Sequence, residues 1–316
     1  MVHHPSIVKS ILAGKKLEKI RIEIDKSDKY ETMKYISNIK QFFPYTINTS
    51  GKPKLNRLCS LEDWYNEEFR QTLSEIHKLN PLGQIHRKDW EWAIGIIAMK
   101  RFNKLNEKSV ALGVGSGTET IPFYLANKIK HVYATDIYGE AENWNHASPP
   151  DFIENPKKYA PFPYNEDAFS VLRMNGTRLV FPSDIFDIVF SFSSIEHFGG
   201  KHHSGSLKSM KEIQRVLKKG GIAVIATEYI INGKDHPEYF NEKTIYSDLI
   251  DKLDSLKLVE PLDLRITTKT LDTVIDIEVD ANWDSMDTNF KKNHPLILVR
   301  NRSILFTSVM LVFKKE

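Results

Sequence analysis

The sequence predicts a doubly wound α/β protein, in which helices cover both faces of a mostly parallel sheet. From Ser109 onward, short apolar runs alternate with helical stretches, and strands separated by helices imply βαβ units. Residues 1–105 differ in composition, since they are rich in charged and aromatic residues and poor in glycine. We therefore divide the chain into a mainly helical N-terminal extension, 1–105, and an α/β domain, 106–316.

Two helices are predicted in the extension. Apolar residues recur at helical spacing over Leu61–Lys78 and again over Lys88–Phe102, so each segment has an apolar face that we expect in the core. The turn Asn80–Gly83 separates the two helices, because Asn, Pro and Gly close together end a helix.

The α/β domain contains the remaining predicted elements. The predicted strands are Ser109–Gly113, His131–Asp136, Phe186–Ser193, Gly221–Thr227, Val259–Ile266 and Ile304–Phe313. The predicted helices are Thr118–Lys128, Ser206–Lys218 and Asn241–Leu253. In a parallel sheet of this kind, ligands bind beyond the carboxyl ends of the strands, so we look for function in the segments that follow each strand.

Composition argues against several functional classes. The 44 Lys and Arg residues against 41 Asp and Glu leave a net charge of +3, too small to predict binding to nucleic acid or an anionic membrane. The single Cys59 excludes a disulfide framework and a cysteine-based zinc cluster. No apolar run approaches the ~20 residues of a membrane helix, and no signal peptide is visible, so we expect a cytoplasmic protein. His3-His4 and His202-His203 lack an accompanying carboxylate pattern, and we predict no metal site.

A glycine-rich loop follows the first strand of the α/β domain. Gly113, Gly115 and Gly117 alternate with Val114 and Ser116, which allows a tight turn and lets a ligand lie against bare backbone. The spacing is G-x-G-x-G, whereas a dinucleotide pyrophosphate usually lies on G-x-G-x-x-G. A plain strand-to-helix turn remains the alternative for this loop considered alone.

Polar residues follow the next strands. Asp136 ends the strand beside the glycine loop, and a carboxylate at that place can accept both hydroxyls of a ribose. Asn175, followed by Gly176, either meets an adenine edge through its side-chain carbonyl or forms a simple turn. Glu196 and His197 lie just past the strand that begins at Phe186, which favours a role in a site.

Four segments together carry a resemblance to a known family. They are GVGSGTE, YATD, RMNGTRLVFPSDIFDIVFSFSSIEHFGG and EIQRVLKKGGIAVIATE, in that order. In combination they resemble the class I S-adenosylmethionine-dependent methyltransferases over about Lys108–Phe313. The resemblance implies a Rossmann-like sheet of seven strands with the last strand antiparallel, and Ile304–Phe313 fits that strand.

The resemblance also implies S-adenosyl-L-methionine as the cofactor and a set of cofactor-binding residues at the strand ends. That set is Gly113, Gly115, Ser116, Gly117, Asp136, Ile137, Asn175, Gly176 and Ser193. The glycines would pack against the methionine portion, Asp136 would hold the ribose hydroxyls, and Ile137 would cover the adenine. Asn175 would take the adenine-amine position, and Ser193 would mark the backbone that lines the cofactor. Ala111 stands where the family often has an acid.

A narrower resemblance concerns the methyl acceptor. The motif HRKDWEW at His86–Trp92, together with Glu119, Trp144 and SSIEHFGG, resembles bacterial methyltransferases linked to surface glycan assembly, which implies a small-molecule or glycan acceptor. The cluster of His, Arg, Lys and Trp just before the α/β domain, and the long loop after the second strand, predict His86, Trp90 and Trp144 as substrate-binding residues and the extension as a cap on the acceptor side. The long insertion Tyr138–Phe169 is either an acceptor wall or a surface loop.

The sequence therefore predicts an enzyme that transfers a methyl group to an oxygen or nitrogen of an unidentified acceptor. His197 is the predicted general base, with Glu196 as its orienting partner or as a direct substrate ligand. A nicotinamide-dependent oxidoreductase is one alternative, and a non-catalytic binding module that retains the fold is the other. The oligomeric state is left open.

Overall fold

The computed structural model describes eight segments of the chain. They are residues 51–77, 85–139, 148–199, 203–232, 235–271, 273–276, 295–301 and 304–316. Trp144, the predicted turn Asn80–Gly83 and both histidine pairs fall wholly or partly outside these segments.

The described chain forms one sheet of ten strands. The strands are β1 (Arg57–Leu58), β2 (Val110–Val114), β3 (His131–Asp136), β4 (Phe169–Arg173), β5 (Phe186–Phe192), β6 (Leu217–Ile230), β7 (Leu256–Leu258), β8 (Val274–Asp276), β9 (Leu298–Asn301) and β10 (Ile304–Lys315). Their order is β4-β3-β2-β5-β6-β10-β9-β8. Strands β2 to β6 are parallel, and β10 is antiparallel to β6. The predicted doubly wound sheet with an antiparallel last strand is confirmed.

The described sheet has ten strands rather than seven because several short segments extend it beyond β10. On its outer edge β10 pairs with β9 near Leu305, with β1 near Val309 and with β7 near Lys314. Strand β8 then continues the sheet on β9. Segments of two to four residues such as these carry too little periodicity for a strand to be predicted from sequence.

Helices cover both faces of the sheet. They are α1 (Glu67–His77), α2 (Arg87–Arg101), α3 (Thr120–Ala126), α4 (Ser204–Val216), α5 (Glu242–Thr244), which continues as a π-helical turn over Ile245–Ile250, and α6 (Thr268–Leu271). Short 3-10 turns precede α1 and follow β3 and β5. The predicted helices 88–102, 118–128 and 206–218 are confirmed within a few residues at their ends. The predicted helix 61–78 begins as a 3-10 turn over Leu61–Tyr65 before α1, and the predicted helix 241–253 is mostly the π-helical turn after α5.

The core has two layers because side chains alternate along each strand. On β6, Ile222 and Val224 pack in one apolar cluster with α2 and α3, whereas Ala223 and Ile225 pack in the other with α4. Helix α2 is buried over nearly its whole surface from Asp89 to Met99. This helix of the extension therefore packs directly on the sheet, while the division at residue 105 stays a prediction.

Two predictions about individual elements are wrong. The segment Val259–Ile266 is not a strand: β7 ends at Leu258, and the carboxylate of Glu260 instead accepts the backbone N–H groups of Leu55 and Asn56. Pro261 follows and cannot donate to a strand ladder. Strand β4 is a missed element, because only Phe169 belongs to the predicted insertion and no strand was predicted over the residues that follow it.

The described part of that insertion packs on the core. Phe152 is buried and contacts the ring of Phe123 in α3, and Tyr164 contacts the same ring. From residue 148 onward the segment is therefore a packed layer of the domain. Within the described residues, no helix is long and apolar enough to span a membrane.

Candidate active site

The carboxyl ends of β2, β3 and β5 meet around the glycine-rich loop. Gly115 and Gly117 adopt φ angles of 62° and 49°, which favour glycine because a Cβ is strained there. A Cβ on Gly115 would overlap the hydroxyl of Ser194 and lie 2.9 Å from the Phe198 ring. The backbone N–H of Ser116 donates to Thr135 at 3.0 Å, which ties the loop to β3. The loop therefore presents bare, fixed backbone at the strand ends.

Asp136 faces this loop from the end of β3. One carboxylate oxygen accepts the N–H of Gly117 at 2.9 Å, and the other accepts the N–H of Ile137 at 2.7 Å. Burial raises the pKa of Asp136, although these backbone donors oppose the shift. Each carboxylate oxygen has two acceptor positions, so the group retains capacity for the hydroxyls of a ligand. Asp136 and the loop thus form one unit, as predicted from their spacing.

Two residues at the same edge of the sheet have a strained backbone. Tyr138, after β3, and Ser193, after β5, have φ angles of 37° and 45°, which non-glycine residues rarely adopt. The hydroxyl of Tyr138 donates to the carbonyl of Gly117 at 3.2 Å. Strained residues of this kind are typical of functional sites, where the surrounding structure holds them in place.

The Asn175-Gly176 turn lies near the loop, but the amide of Asn175 serves the turn itself. Its carbonyl oxygen accepts from the N–H and the hydroxyl of Thr177, at 2.9 and 2.7 Å. The predicted contact of this oxygen with adenine therefore competes with a local Asx turn. Gly176 lies under the Phe198 ring, which also contacts the position of Gly115. Sequence reasoning did not single out Phe198, because one aromatic residue in a loop carries no pattern.

A buried charge cluster lies beside the end of β5. Glu91 of α2 accepts hydrogen bonds from Ser308 at 2.5 Å and Ser193 at 2.8 Å. It also pairs with Arg87 and Lys88, each at 3.3 Å. Burial opposes the ionisation of Glu91, but Lys88, Arg87 and the two hydroxyls together hold its pKa below the ordinary value.

The two cations in the first turn of α2, Arg87 and Lys88, also pair with further carboxylates. Arg87 pairs with Glu228 at the carboxyl end of β6, and Lys88 pairs with Glu119 at 2.9 Å. Lys88 also donates to the carbonyl of Phe192 at 3.2 Å. These contacts fasten the first turn of α2 to the ends of β5 and β6, as well as to the segment after the glycine loop.

Glu196 and His197 lie in the 3-10 turn after β5, next to Glu228. Glu196 is 1% exposed and accepts a hydrogen bond from the Thr227 hydroxyl at 2.8 Å. Burial, and then the charge of Glu228, raise the pKa of Glu196 to about 8. Burial lowers the pKa of His197, against the opposing effect of Glu228. Glu228 was not among the predicted site residues, since it belongs to a separate strand.

The predicted acceptor residues of α2 have structural contacts. His86 is the N-cap of α2, with its Nδ1 accepting the N–H of Lys88 at 2.9 Å, and burial lowers its pKa to about 3. Trp90 is completely buried, and its indole N–H donates to Asp63 at 2.6 Å. A side chain enclosed in the core cannot meet a substrate, so we correct the prediction for Trp90. Trp144 lies outside the described residues.

Comparison with known proteins agrees with this geometry. Residues 112–225, from β2 into β6, match the family described as a methyltransferase domain. These residues form a methyltransferase domain of the S-adenosylmethionine-dependent kind. The match contains the glycine-rich loop, Asp136 and the Glu196-His197 pair. A search of curated proteins found no relative that matches this chain.

Three solved structures of methyltransferases are similar to this chain at low sequence identity. A candidate sarcosine dimethylglycine methyltransferase from Galdieria sulphuraria is 13% identical, with a TM-score of 0.47, over 78% of this chain and 98% of that one. An S-adenosylmethionine-dependent methyltransferase from Aquifex aeolicus is 18% identical, with a TM-score of 0.40, over 76% and 97%. A TehB-like methyltransferase from Corynebacterium glutamicum is 15% identical, with a TM-score of 0.39, over 69% and 88%.

Proposed function

We propose that this methyltransferase transfers the methyl group to an oxygen or nitrogen of a small, ring-containing acceptor such as a sugar. The observation that carries the proposal is that one edge of the sheet joins two kinds of site. Bare glycine backbone and the Asp136 carboxylate lie at the ends of β2 and β3, whereas a buried acid and a half-buried imidazole lie after β5. The first suits a nucleoside cofactor and the second suits an acceptor that loses a proton.

The residues present fit S-adenosylmethionine. A Cβ on Gly117 would lie 2.8 Å from the Ser148 hydroxyl and 3.8 Å from Asp136, so only bare backbone fits between these groups. We propose that Asp136 binds the ribose hydroxyls and that Ile137 and Gly176 line the base. When bound, the cofactor supplies a methyl group on a positively charged sulfur, and the residues of the chain align the acceptor with it and exclude water.

An aromatic wall next to the charge cluster supports a ring-shaped acceptor. The rings of His236 and Tyr239 stack at 4.7 Å, and Tyr239 lies 5.1 Å from Phe306. The guanidinium of Arg87 lies 5.4 Å from the Phe306 ring. Aromatic faces beside charged groups bind sugar rings and also other flat acceptors. Because Arg87 belongs to α2, we also propose that residues 1–105 contribute to the acceptor side.

Glu196 and His197 remain our proposed reactive residues. An attacking hydroxyl must lose a proton, and an imidazole at the tip of β5 can accept it or hold the group that does. Glu228 acts more strongly on the pKa of His197 than any other charge does, so we add Glu228 to the proposed set.

The variant His197→Ala should lower turnover about 100-fold and leave cofactor affinity nearly unchanged. This is the lower end of the range for a positioned proton acceptor, since the proton can also leave to water. Steady-state kinetics and calorimetric titration with S-adenosylhomocysteine measure the two effects. His131→Ala is the matched control, because His131 lies at the opposite end of the sheet, where it contacts Ser170. A turnover loss below tenfold would make His197 a structural residue.

The variant Gly115→Ala should weaken binding of S-adenosylhomocysteine and lower the melting temperature. A left-handed φ angle alone costs an alanine about 1–2 kcal/mol, and the added methyl overlaps Ser194. Gly220→Ala is the control, since Gly220 has a φ of 74° but nothing within 4 Å of its Cβ position. We expect the control to share the loss of stability and to keep the affinity. Equal affinities of the two variants would contradict a cofactor position against Gly115.

The proposed function is tested by a methyl-transfer screen. Purified protein is incubated with radiolabelled S-adenosylmethionine and either extract fractions or a panel of sugars, phenols and amines, and label transfer is measured. Transfer to a hydroxyl or amine of a ring-containing compound supports the proposal. Transfer to carbon or sulfur alone would overturn it. Stabilisation by S-adenosylhomocysteine but not by NAD in thermal melts excludes the oxidoreductase alternative, and any catalytic transfer excludes a purely binding module.

A further inference from the structure

We propose that Glu196, His197 and Glu228 bind one divalent metal ion at the acceptor side of the site. One ligand atom from each of the three residues lies within 4.8 Å of the other two. Such spacing can be spanned by an ion whose ligands lie at about 2.0–2.5 Å. Glu196 is 1% exposed and Glu228 is 6% exposed, so these carboxylates differ from the solvated acidic groups that commonly lie together on surfaces.

Glu196 provides the independent observation that points to a ligand. Its Oε2 accepts from Thr227, whereas its Oε1 is buried and has no hydrogen-bond partner among the described residues. A buried carboxylate oxygen without a partner is costly, because the desolvation of the group is not compensated. The same oxygen belongs to a side chain that shares a cluster with Glu228 and His197. A bound cation would give that oxygen a partner and would reduce the electrostatic repulsion between the carboxylates of Glu196 and Glu228.

The charges of the surrounding elements leave room for a cation. Four acidic side chains face this region, those of Glu91, Glu119, Glu196 and Glu228, against two cations of the first turn of α2, Arg87 and Lys88. Arg87 pairs with Glu91 and with one oxygen of Glu228, and Lys88 pairs with Glu91 and Glu119. A carboxylate has a second oxygen for a metal even when an arginine donates to the first.

The ligand types indicate which ion to expect. Two carboxylates and one imidazole suit Mn²⁺, Fe²⁺ or Zn²⁺ better than Ca²⁺, because imidazole is a ligand for borderline metals. Three protein ligands leave positions open for water or substrate oxygen. The role of the ion rests on the proposed function: it would bind an acceptor hydroxyl and promote loss of its proton, and His197 would then act as a ligand rather than as a free base.

Metal binding by the full-length protein tests the inference directly. The protein is treated with EDTA and desalted, and binding of Mn²⁺ is then followed by the loss of the free-ion electron paramagnetic resonance signal. We expect one tight site per chain in the wild type and an affinity at least about tenfold lower in Glu196→Gln, which keeps the shape of the side chain. The matched control is Glu62→Gln, because Glu62 is also 1% exposed and bonded by hydroxyls, those of Ser60 and Thr267, outside the cluster. Circular dichroism confirms that both variants are folded.

The outcomes separate this inference from the proposed function. Absence of Mn²⁺ and Zn²⁺ binding, or wild-type affinity in Glu196→Gln, would overturn the metal site. Methyl transfer that continues unchanged in EDTA would overturn the role of the ion while the proposed function stands. Metal binding that is lost in Glu196→Gln and retained in Glu62→Gln, with transfer that is lost in EDTA and restored by Mn²⁺, supports both statements.

Discussion

The Asp136→Ala variant should bind S-adenosylhomocysteine about 30- to 5,000-fold more weakly than the wild-type protein. The change removes hydrogen bonds from two ribose hydroxyls to an ionised acceptor, each worth roughly 1.5–3 kcal/mol, and water replaces part of that loss. It also removes the hydrogen bond that the N–H of Gly117 donates to Asp136 at 2.9 Å, so the glycine loop is held less firmly to the end of β3. Isothermal titration calorimetry measures the affinity directly.

Asp187→Ala is the matched control for Asp136→Ala. Asp187 also lies at a strand end and accepts a backbone N–H, that of Val110 at 3.0 Å, but at the opposite end of the sheet. We expect both variants to unfold cooperatively, with about 1 kcal/mol lost from each through the missing hydrogen bonds. Only Asp136→Ala should lose affinity. Wild-type affinity in that variant would remove the cofactor from the end of β3.

The Glu91→Ala variant should lose about 3–5 kcal/mol of unfolding free energy, which is a large fraction of the stability of an ordinary domain. Glu91 is completely buried, and its removal leaves Arg87 and Lys88 with less compensation inside the protein. Ser193 and Ser308 lose their shared acceptor as well. Urea denaturation monitored by circular dichroism measures the loss. The midpoint urea concentrations of variant and wild type are compared, provided that the free energy of unfolding depends on urea with the same slope in both.

An exposed ion pair provides the control for Glu91→Ala. Glu166 pairs with Lys157 at 2.7 Å on the surface, and Glu166→Ala should hardly change the midpoint because solvent screens such pairs.

The pH dependence of the unfolding free energy gives a second check on the contribution of Glu91. The pKa of Glu91 is lower in the folded protein than its ordinary 4.5, so its contribution is fully present at neutral pH and is lost as the pH falls through the folded value. If Glu91→Ala lost less than 1 kcal/mol of unfolding free energy at neutral pH, the charge cluster around Glu91 would not be important for stability.

The cofactor side of the site could be predicted from sequence because its parts are local. The glycine loop follows β2 directly, and Asp136 ends the adjacent strand β3, so strand order and spacing were enough to place them together. Asn175 shows the limit of this reasoning. An Asn-Gly pair fits both a turn and an adenine contact, and only the hydrogen bonds to Thr177 show that the side chain serves the turn.

The acceptor side could not be predicted because it is assembled from distant segments. Glu91 meets Ser308 only because α2 packs across β10, and Glu228 meets Glu196 only because β6 lies beside β5. Trp90 illustrates the converse error. It was assigned to the acceptor from a short motif, whereas the helix turns it inward to Asp63. Helical spacing shows which residues share a face, but not which layer that face meets.

Strand β10 has a consequence for how this protein folds. It pairs with β6 on one edge and with β9, β1 and β7 along the other, and its β1 contact joins Leu58 to Val309. Pairing strands that are far apart in the chain costs chain-closure entropy before any contact compensates it, so we expect completion of the sheet to be a late and slow step of folding. In the native state, detachment of β10 would break its pairings on both edges together. We therefore expect β10 and the short strands paired with it to open and close as one cooperative unit.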